Sequence, residues 1–342
     1  MATAKDSVKK DKSKKLMLRP VPVLAYAPET RFIVGVGLIS PFQWRRDSIT
    51  HHSIISAYIV YTQNKQDYIY MPYQVFTTRN EFYFEGESDY YNYSYYYWGI
   101  GENRVPKELY NVKFPRFLLN AYRKIEGKFY LGIDYYYEND MMFNNNSDSA
   151  LNTQELIGGN GSVSSGIGVD ILFDTRDSIF FPHHGWYIKG VSYFNSTQLG
   201  ATQKYGKAIT DVSWYHSLTK STILALTQHN QVSWGDVPFN QLALIGGTRQ
   251  IRGYYMGYYR DNVLSYFQGE ARVHLFDRVG GVVFGTISAY GNFHTFPENP
   301  VPIFAEGVGL RYNYVKKQHI NLRADIAFGV SPEYYLTIQE SF

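Results

Sequence analysis

Apolar and polar residues alternate along much of this chain, and the alternation has a period of two. In the clearest segment, 320–330, the charged residues all fall on one face. The apolar face holds Ile320, Leu322, Ala324, Ile326, Phe328 and Val330, and the polar face holds Asn321, Arg323, Asp325 and Gly329. Such a period predicts β-strands with one apolar and one polar side, and a shift of one residue would exchange the two sides.

Similar alternation recurs at 128–138, 167–176 and 304–314. About 9–11 residues is the length that a tilted strand needs to cross a bilayer, whereas the strands of a soluble β-sandwich average about five or six. The predicted strands are 19–26, 31–40, 52–62, 66–77, 80–89, 108–124, 127–138, 163–175, 185–196, 205–217, 221–234, 262–275, 280–291, 303–314, 318–330 and 334–342. Their number, about sixteen, is even, as in single-chain bacterial barrels, and the polar face suits a wet interior. The sequence therefore predicts an all-β fold, an antiparallel transmembrane β-barrel over residues 18–342.

Composition agrees with this prediction. The chain of 342 residues contains 33 Tyr and 22 Phe, and aromatic rings of this kind concentrate at membrane interfaces. No uninterrupted run of about 18 apolar residues occurs, which excludes ordinary transmembrane helices. The tyrosine-rich run 89–98 is interpreted as part of an interfacial aromatic belt, and a surface that grips sugars or lipid headgroups is the alternative.

The charge of the chain is concentrated at its start. The net charge is +3, and the excess comes from Lys5, Lys9, Lys10, Lys12, Lys14 and Lys15. A run of like charges predicts a solvated, disordered tail over residues 1–17. Nucleic-acid binding is the alternative, but the basic pattern does not recur behind the tail, so no nucleic-acid partner is expected.

No catalytic motif is found, and the protein is predicted not to be an enzyme. The chain has no His-Glu-x-x-His, no Gly-x-Ser-x-Gly and no phosphate-binding loop, and the absence of Cys removes thiol chemistry. The pairs His51-His52 and His183-His184 lack an accompanying ligand pattern, so positions in loops or at the barrel rim are expected. Neither a metal nor a cofactor is predicted.

The stretch 235–275 contains the most informative motif. Gly246-Gly247 lead to a tip formed by Ile251, Arg252, Gly253 and Tyr254, and a strand with Gly269-Glu270-Ala271-Arg272 follows. With the segments 173–177 and 24–30, this pattern resembles the sixth long loop and adjoining strands of the BamA/TamA-like (surface antigen) outer-membrane assembly and secretion family. The resemblance covers nearly the whole chain. About 17 residues precede the first strand, so we expect a barrel-only member without polypeptide-transport-associated domains.

The resemblance implies that the long loop folds into the lumen and that its arginine pairs with an acidic residue of the inner wall. A buried guanidinium is favourable only where carboxylates and hydrogen bonds meet it. Glu270 is the first candidate partner, and Asp170 and Asp174 are alternatives. The family's usual Asp is replaced by Ala289, so that particular contact cannot form. A solvated cation at a loop tip is the other interpretation of Arg252.

The first predicted strand contains two prolines, which cannot donate hydrogen bonds to a neighbouring strand. We therefore expect a weakly bonded, openable seam where this strand meets the last one; alternatively, the prolines only shape the start of the strand. The expected seam residues are Pro20, Pro22, Tyr334, Leu336, Ile338 and Phe342. The final stretch 334–342 also resembles the C-terminal recognition signal of outer-membrane barrels, although Glu340 interrupts its apolar face.

These observations predict a protein of the bacterial outer membrane that aids insertion or translocation of polypeptides, or of lipid, through the seam. An exposed strand edge at an opened seam could template an incoming strand. A passive pore or transporter gated by the long loop is the alternative function. The expected partners are outer-membrane lipid, client outer-membrane proteins and accessory periplasmic or lipoprotein components, and oligomers are compatible with the sequence.

Overall fold

A computed structural model describes residues 18–44, 49–143, 148–153, 155–179, 181–296, 298–315, 320–338 and 340–342. Sixteen antiparallel strands form one closed barrel, which confirms the predicted fold class and strand number. The barrel strands are β1 (Arg19–Ala27), β2 (Arg31–Phe42), β3 (Ser53–Thr62), β4 (Asp67–Phe76), β5 (Phe82–Ile100), β6 (Asn103–Glu126), β7 (Phe129–Met142), β8 (Ser162–Asp174), β9 (Gly185–Asn195), β10 (Tyr205–Ser217), β11 (Thr222–Gly235), β14 (Val263–Phe276), β15 (Val279–Gly291), β16 (Val301–Val315), β17 (Ile320–Phe328) and β18 (Pro332–Ile338).

Strands that follow one another in sequence are neighbours in the barrel, with one exception. β11 pairs with β14, and segment 236–262 between them contains a small separate hairpin, β12 (Ala243–Ile245) and β13 (Tyr259–Asp261). β1 pairs with β18 and closes the barrel. The only α-helix among the described residues is one turn, α1 (Ala150–Thr153), and no described helix is long and apolar enough to cross a membrane.

The predicted alternation of faces is present on the strands that suggested it. On β17, Arg323 and Asp325 are buried toward the inside, and Ile326 is exposed on the outside. On β7, Ile133 is 66% exposed while Asp134 is buried. On these two strands the outer face is thus apolar and the inner face carries the charge.

Segment 236–262 packs against inward-facing side chains on two parts of the wall. Ile251 and Tyr254 lie in a buried cluster with Tyr266 of β14 and Ile303 of β16. Phe239 lies in a second cluster with residues of β5 and β6, and its ring is 5.8 Å from that of Tyr97. The inner surface of the barrel therefore has an apolar as well as a polar component.

The structure corrects the prediction for the tyrosine-rich region. The predicted strand 80–89 and loop 90–107 are instead one long hairpin, because β5 continues to Ile100 and β6 begins at Asn103. Tyr91, Tyr93 and Tyr95 pack with the cluster around Phe239, so an interfacial belt is the wrong interpretation for these three. The sequence obscured this strand because tyrosines occupy both of its faces and remove the contrast that alternation needs.

The last strand is also shorter than predicted. β18 ends at Ile338, and residues 340–342 leave the strand direction. Continued alternation would place Glu340 on the outer face with Ile338, but the structure places Glu340 on the inside, where Arg311 and Asn321 contact its carboxylate. These contacts stabilise the inward position of Glu340. The predicted basic tail, residues 1–17, lies outside the described residues.

Candidate functional site

The tip of segment 236–262, residues 251–256, includes the four residues of the predicted motif, Ile251, Arg252, Gly253 and Tyr254. Ile251 and Arg252 are both completely buried, with 0% exposure. Tyr254 donates from its hydroxyl to the carbonyl oxygen of Phe304 on β16 at 2.9 Å. The tip is therefore held against the wall and is not a solvated loop end.

Arg252 bridges two wall strands. Its Nη1 donates to Oδ2 of Asp325 on β17 at 2.5 Å, and its Nη2 forms an ion pair with Glu270 on β14. Its guanidinium carbon lies 3.4 Å from the ring centroid of Phe284 on β15. Two carboxylates and the face of an aromatic ring thus compensate for the removal of this cation from water.

The two carboxylates belong to a larger buried network. Arg311 contacts Asp325 at 2.6 Å and Glu340 at 2.7 Å, so it joins β17 to the segment behind β18. Arg272 contacts the second oxygen of Glu270 at 2.8 Å. The network contains four arginines and three acids: Arg252, Arg272, Arg311, Arg323, Glu270, Asp325 and Glu340. The tip and three barrel strands are therefore held by shared charges, and removal of one group leaves others uncompensated.

Of the three candidate partners named from the sequence, only Glu270 contacts Arg252. Asp174 instead pairs with Arg176 at 2.8 Å, and Asp170 accepts a hydrogen bond from Asn120. Both lie on β8, away from the tip. The prediction of Asp170 and Asp174 was wrong because alternation shows only which side chains point inward. It does not show which inward side chains meet across a sheared barrel.

Asp325 is a partner of Arg252 that was not among the predicted candidates. The alternation on 320–330 predicts that Asp325 lies on the polar face. It does not indicate that this carboxylate contacts Arg252. Ala289, the position where the family usually has Asp, lies on the outer face and pairs with Ser265 and Pro302. The second carboxylate here is thus supplied by β17.

The tip also contacts both sides of the seam, which is the junction between β1 and β18. The Gly253 amide donates to the Tyr335 hydroxyl on β18 at 2.9 Å. The Met256 amide donates to Oε1 of Glu29, in the turn between β1 and β2, at 2.7 Å. Gly253 has φ +101°, and a Cβ there would lie 2.8 Å from the carbonyl carbon of Phe328. A residue with a side chain could not approach the wall as closely.

Glu29 is a buried acid in this contact. Burial raises the pKa of its carboxyl from 4.5 to about 7, although the hydrogen bond from the Met256 amide acts in the opposite direction. The group lies in the β1–β2 turn, outside the barrel strands. Its protonation therefore changes near neutral pH, at the point where the tip meets β1.

The seam has little backbone pairing. β1 pairs with β2 along its whole length, from Arg19 with Ile39 to Ala27 with Arg31. Within the described residues, β1 pairs with β18 at a single register position, Tyr26 with Leu336.

The other expected seam residues occupy different surroundings. Pro20 and Pro22 face outward on β1, and Tyr334 and Ile338 face outward on β18. Phe342 is not on the seam strand; its ring is 6.3 Å from that of Tyr215, and its backbone oxygen accepts from Arg272 at 3.0 Å. Inclusion of Phe342 in the seam was therefore wrong, because the chain turns inward before it.

The site is structural and electrostatic in character. Among the described residues, no group of three His, Asp or Glu side chains could hold a metal ion. The fold defines the class: a closed, sixteen-stranded transmembrane β-barrel with an arginine-tipped segment fixed to its wall.

The family follows from comparison with known proteins. A model of the Omp85 superfamily domain matches residues 61–330. The chain belongs to the Omp85 superfamily, and the resemblance found in the sequence is confirmed. No curated protein sequence matches the chain.

Solved structures show the same fold at low sequence identity. BamA from Haemophilus ducreyi lacking POTRA domains 1–3 has a TM-score of 0.66 at 14% identity, covering 95% of this chain and 70% of BamA. CdiB from Escherichia coli has a TM-score of 0.62 at 10% identity, with coverage of 96% and 68%. CdiB from Acinetobacter baumannii has a TM-score of 0.59 at 12% identity, covering 94% of this chain and 59% of that protein.

Proposed function

We propose that this protein resides in the bacterial outer membrane and aids insertion or translocation of polypeptides, or of lipid, through a seam that opens between β1 and β18. The observation that carries the proposal is that, among the described residues, β1 and β18 pair at one position, Tyr26 with Leu336. Membership of the Omp85 superfamily and the fold shared with BamA and CdiB support it.

The mechanism rests on unpaired backbone groups. A strand edge without a partner presents N–H and C=O groups that can pair with an incoming strand. Opening the seam requires little loss of backbone hydrogen bonding between β1 and β18. The client would gain a template, and closure would restore the barrel.

In this mechanism, segment 236–262 would hold the two sides of the seam together. Its tip is bonded to Glu29 on one side of the seam and to Tyr335 on the other. A seam that opens must break at least one of these two contacts. Arg252 would keep the tip attached to β14 and β17 while this happens.

A disulfide across the seam tests the proposal. The chain has no cysteine, so the pair Tyr26→Cys and Leu336→Cys can form only one intramolecular bridge. Directly opposed residues of antiparallel strands lie about 4.5–5.5 Å apart between Cα atoms, within the range of a disulfide. The oxidised variant should lose insertion of a client barrel into liposomes, and a reducing agent should restore it.

The matched control places the same bridge in an ordinary hairpin. Ile326→Cys with Tyr334→Cys joins two directly paired residues of β17 and β18 and leaves the seam free. This control should keep full activity when oxidised. Full client insertion by the oxidised seam variant would contradict the proposal.

A passive pore or transporter, gated by segment 236–262, is the second candidate. The contacts of this segment with inward-facing side chains on two parts of the wall favour it, because such a segment would set the conductance. Planar-bilayer recordings distinguish the two functions. A sizeable steady conductance in a protein without insertion activity would favour the pore.

A further inference from the structure

Four uncharged polar side chains lie together on the outer face of the barrel. Thr210 of β10, Gln228 and Asn230 of β11, and Ser265 of β14 form this outer polar patch. Their outward orientation follows from the alternation of side chains along a strand. Residues adjacent to them in sequence, His229 and Tyr266 among them, are buried toward the inside. An outer face that contacts lipid is expected to be apolar at such positions.

Two pairs of aromatic residues mark the depth of the patch. Trp186 and Trp214 are register partners on β9 and β10, and their rings are 6.1 Å apart. Farther along the strands, Phe194 and Trp234 are 5.6 Å apart and flank Gly206. Aromatic girdles of this kind border the hydrocarbon band of a membrane barrel.

Thr210 lies halfway between these two aromatic pairs. It pairs with Asn230, and it is four residues from Trp214 and four from Gly206 along β10. Four residues of a strand correspond to about 13 Å. The patch therefore lies near the middle of the apolar band.

Most of the patch is internally hydrogen-bonded, but Gln228 is not. The Ser265 hydroxyl donates to Oδ1 of Asn230 at 2.7 Å, and Nδ2 of Asn230 donates to Oγ1 of Thr210 at 3.0 Å. In the part of the chain that the structure describes, the carboxamide of Gln228 has no hydrogen-bonding partner. An amide without a partner is costly in hydrocarbon, where water cannot replace the missing bonds.

Small residues beside the patch allow close approach of another surface. Gly190 of β9 pairs with Thr210, and Ala208 lies two residues from Thr210 on the same outer face. In membranes, small residues and hydrogen-bonding side chains are the features that join protein surfaces. Three strands away from β10 along the wall, β7 presents Leu131 and Ile133, which suit lipid.

We propose that the outer polar patch is the contact surface for a second copy of this chain in the membrane. Two barrels inserted in the same direction are related by a two-fold axis along the membrane normal, so each patch faces the other at equal depth. A carboxamide donates and accepts, and a hydroxyl does the same, so the patch is complementary to itself. Because it carries no charge, two copies do not repel each other.

Cysteine cross-linking in the membrane tests this proposal directly. In the cysteine-free chain, Gln228→Cys should oxidise to a disulfide-linked dimer of twice 39.5 kDa, because the two residues face each other near the axis. Ile133→Cys, which is also exposed on the outer face, is the matched control and should remain monomeric. Equal cross-linking of the two variants, or none in Gln228→Cys, would overturn the proposal, as would a product containing a different protein.

A second variant tests the polar contact itself. Gln228→Leu gives the outer face a residue that lipid solvates well, so barrel folding should persist. Loss of the carboxamide pair should lower dimer association in nanodiscs by roughly 3- to 15-fold. Unchanged or tighter association of Gln228→Leu would show that the patch does not join two copies.

Discussion

Arg252 shows why the tip needs an arginine. Its planar fork reaches Asp325 and Glu270 on two different strands while its flat face covers Phe284. A lysine presents a compact charge without this fork, and it could not make the same set of contacts. The residue therefore acts through geometry as much as through charge, and it couples the tip to the wall.

Replacement of Arg252 should loosen the tip without unfolding the barrel. Arg252→Ala leaves Glu270 and Asp325 with one cation fewer, and breaking a buried pair in this way costs about 3–5 kcal/mol. Limited proteolysis should then cut segment 236–262 faster than in the parent, while the barrel keeps its β-sheet circular dichroism.

Arg252→Lys is the matched variant, because it keeps the charge and removes the fork. Its protease sensitivity should lie between those of the parent and Arg252→Ala. Equal cleavage rates in all three proteins would show that the arginine does not hold the tip.

At the scale of elements, the tip connects parts of the barrel that barely pair with each other. β1 and β18 share one described register position, yet the tip is bonded to Glu29 beside β1 and to Tyr335 on β18. The tip thus adds a bridge across the seam beside this described backbone pair. In the proposed mechanism, release of the tip would remove this bridge and would not require the loss of a ladder of backbone hydrogen bonds.

The pH dependence of this bridge follows from Glu29. Its pKa is raised from 4.5 to about 7, so the folded protein binds the proton more tightly than the unfolded chain does. The stabilisation of the folded bridge by protonated Glu29 is fully present below about pH 4.5 and is lost as pH rises through about 7. Hydrogen exchange of the Met256 amide should therefore accelerate between pH 6 and 8, beyond the intrinsic chemical effect of pH.

Glu29→Gln provides the control for this effect. The amide keeps an oxygen that accepts from Met256 but cannot ionise, so the additional pH dependence should disappear. If the parent and Glu29→Gln had the same corrected pH profile, Glu29 would not control the bridge.

Individual elements also show what the sequence could predict. The strand predicted over 318–330 is present as β17 (Ile320–Phe328), because charged and apolar residues separate by face. The predicted strand 80–89 is too short, because tyrosines occupy both faces of β5. Glu270 was selected as a partner from the motif, but the contact with Asp325 depends on barrel shear, which no local pattern encodes. The inward turn at Glu340 depends on Arg311, a residue distant in sequence.

At the scale of the whole molecule, the sixteen strands form a closed barrel, and the described residues of β1 and β18 pair at one position. The period of two predicts the strands and their apolar outer face, which is why the fold was predictable. The superfamily was indicated separately, by the resemblance of the motif around Arg252 and its adjoining strands. Because closed barrels remove free edges, a seam with little pairing is where an edge is most easily exposed. We propose that this seam opens in the membrane.

Distances between spin labels report whether the seam opens. Labels at Ile59→Cys on β3 and Val308→Cys on β16 lie five strand spacings apart across the seam, roughly 24 Å along the wall. Ile133→Cys on β7 and Phe267→Cys on β14 span five spacings without the seam. We predict an additional, longer distance for the seam pair alone; one narrow distance for both pairs would contradict an openable seam.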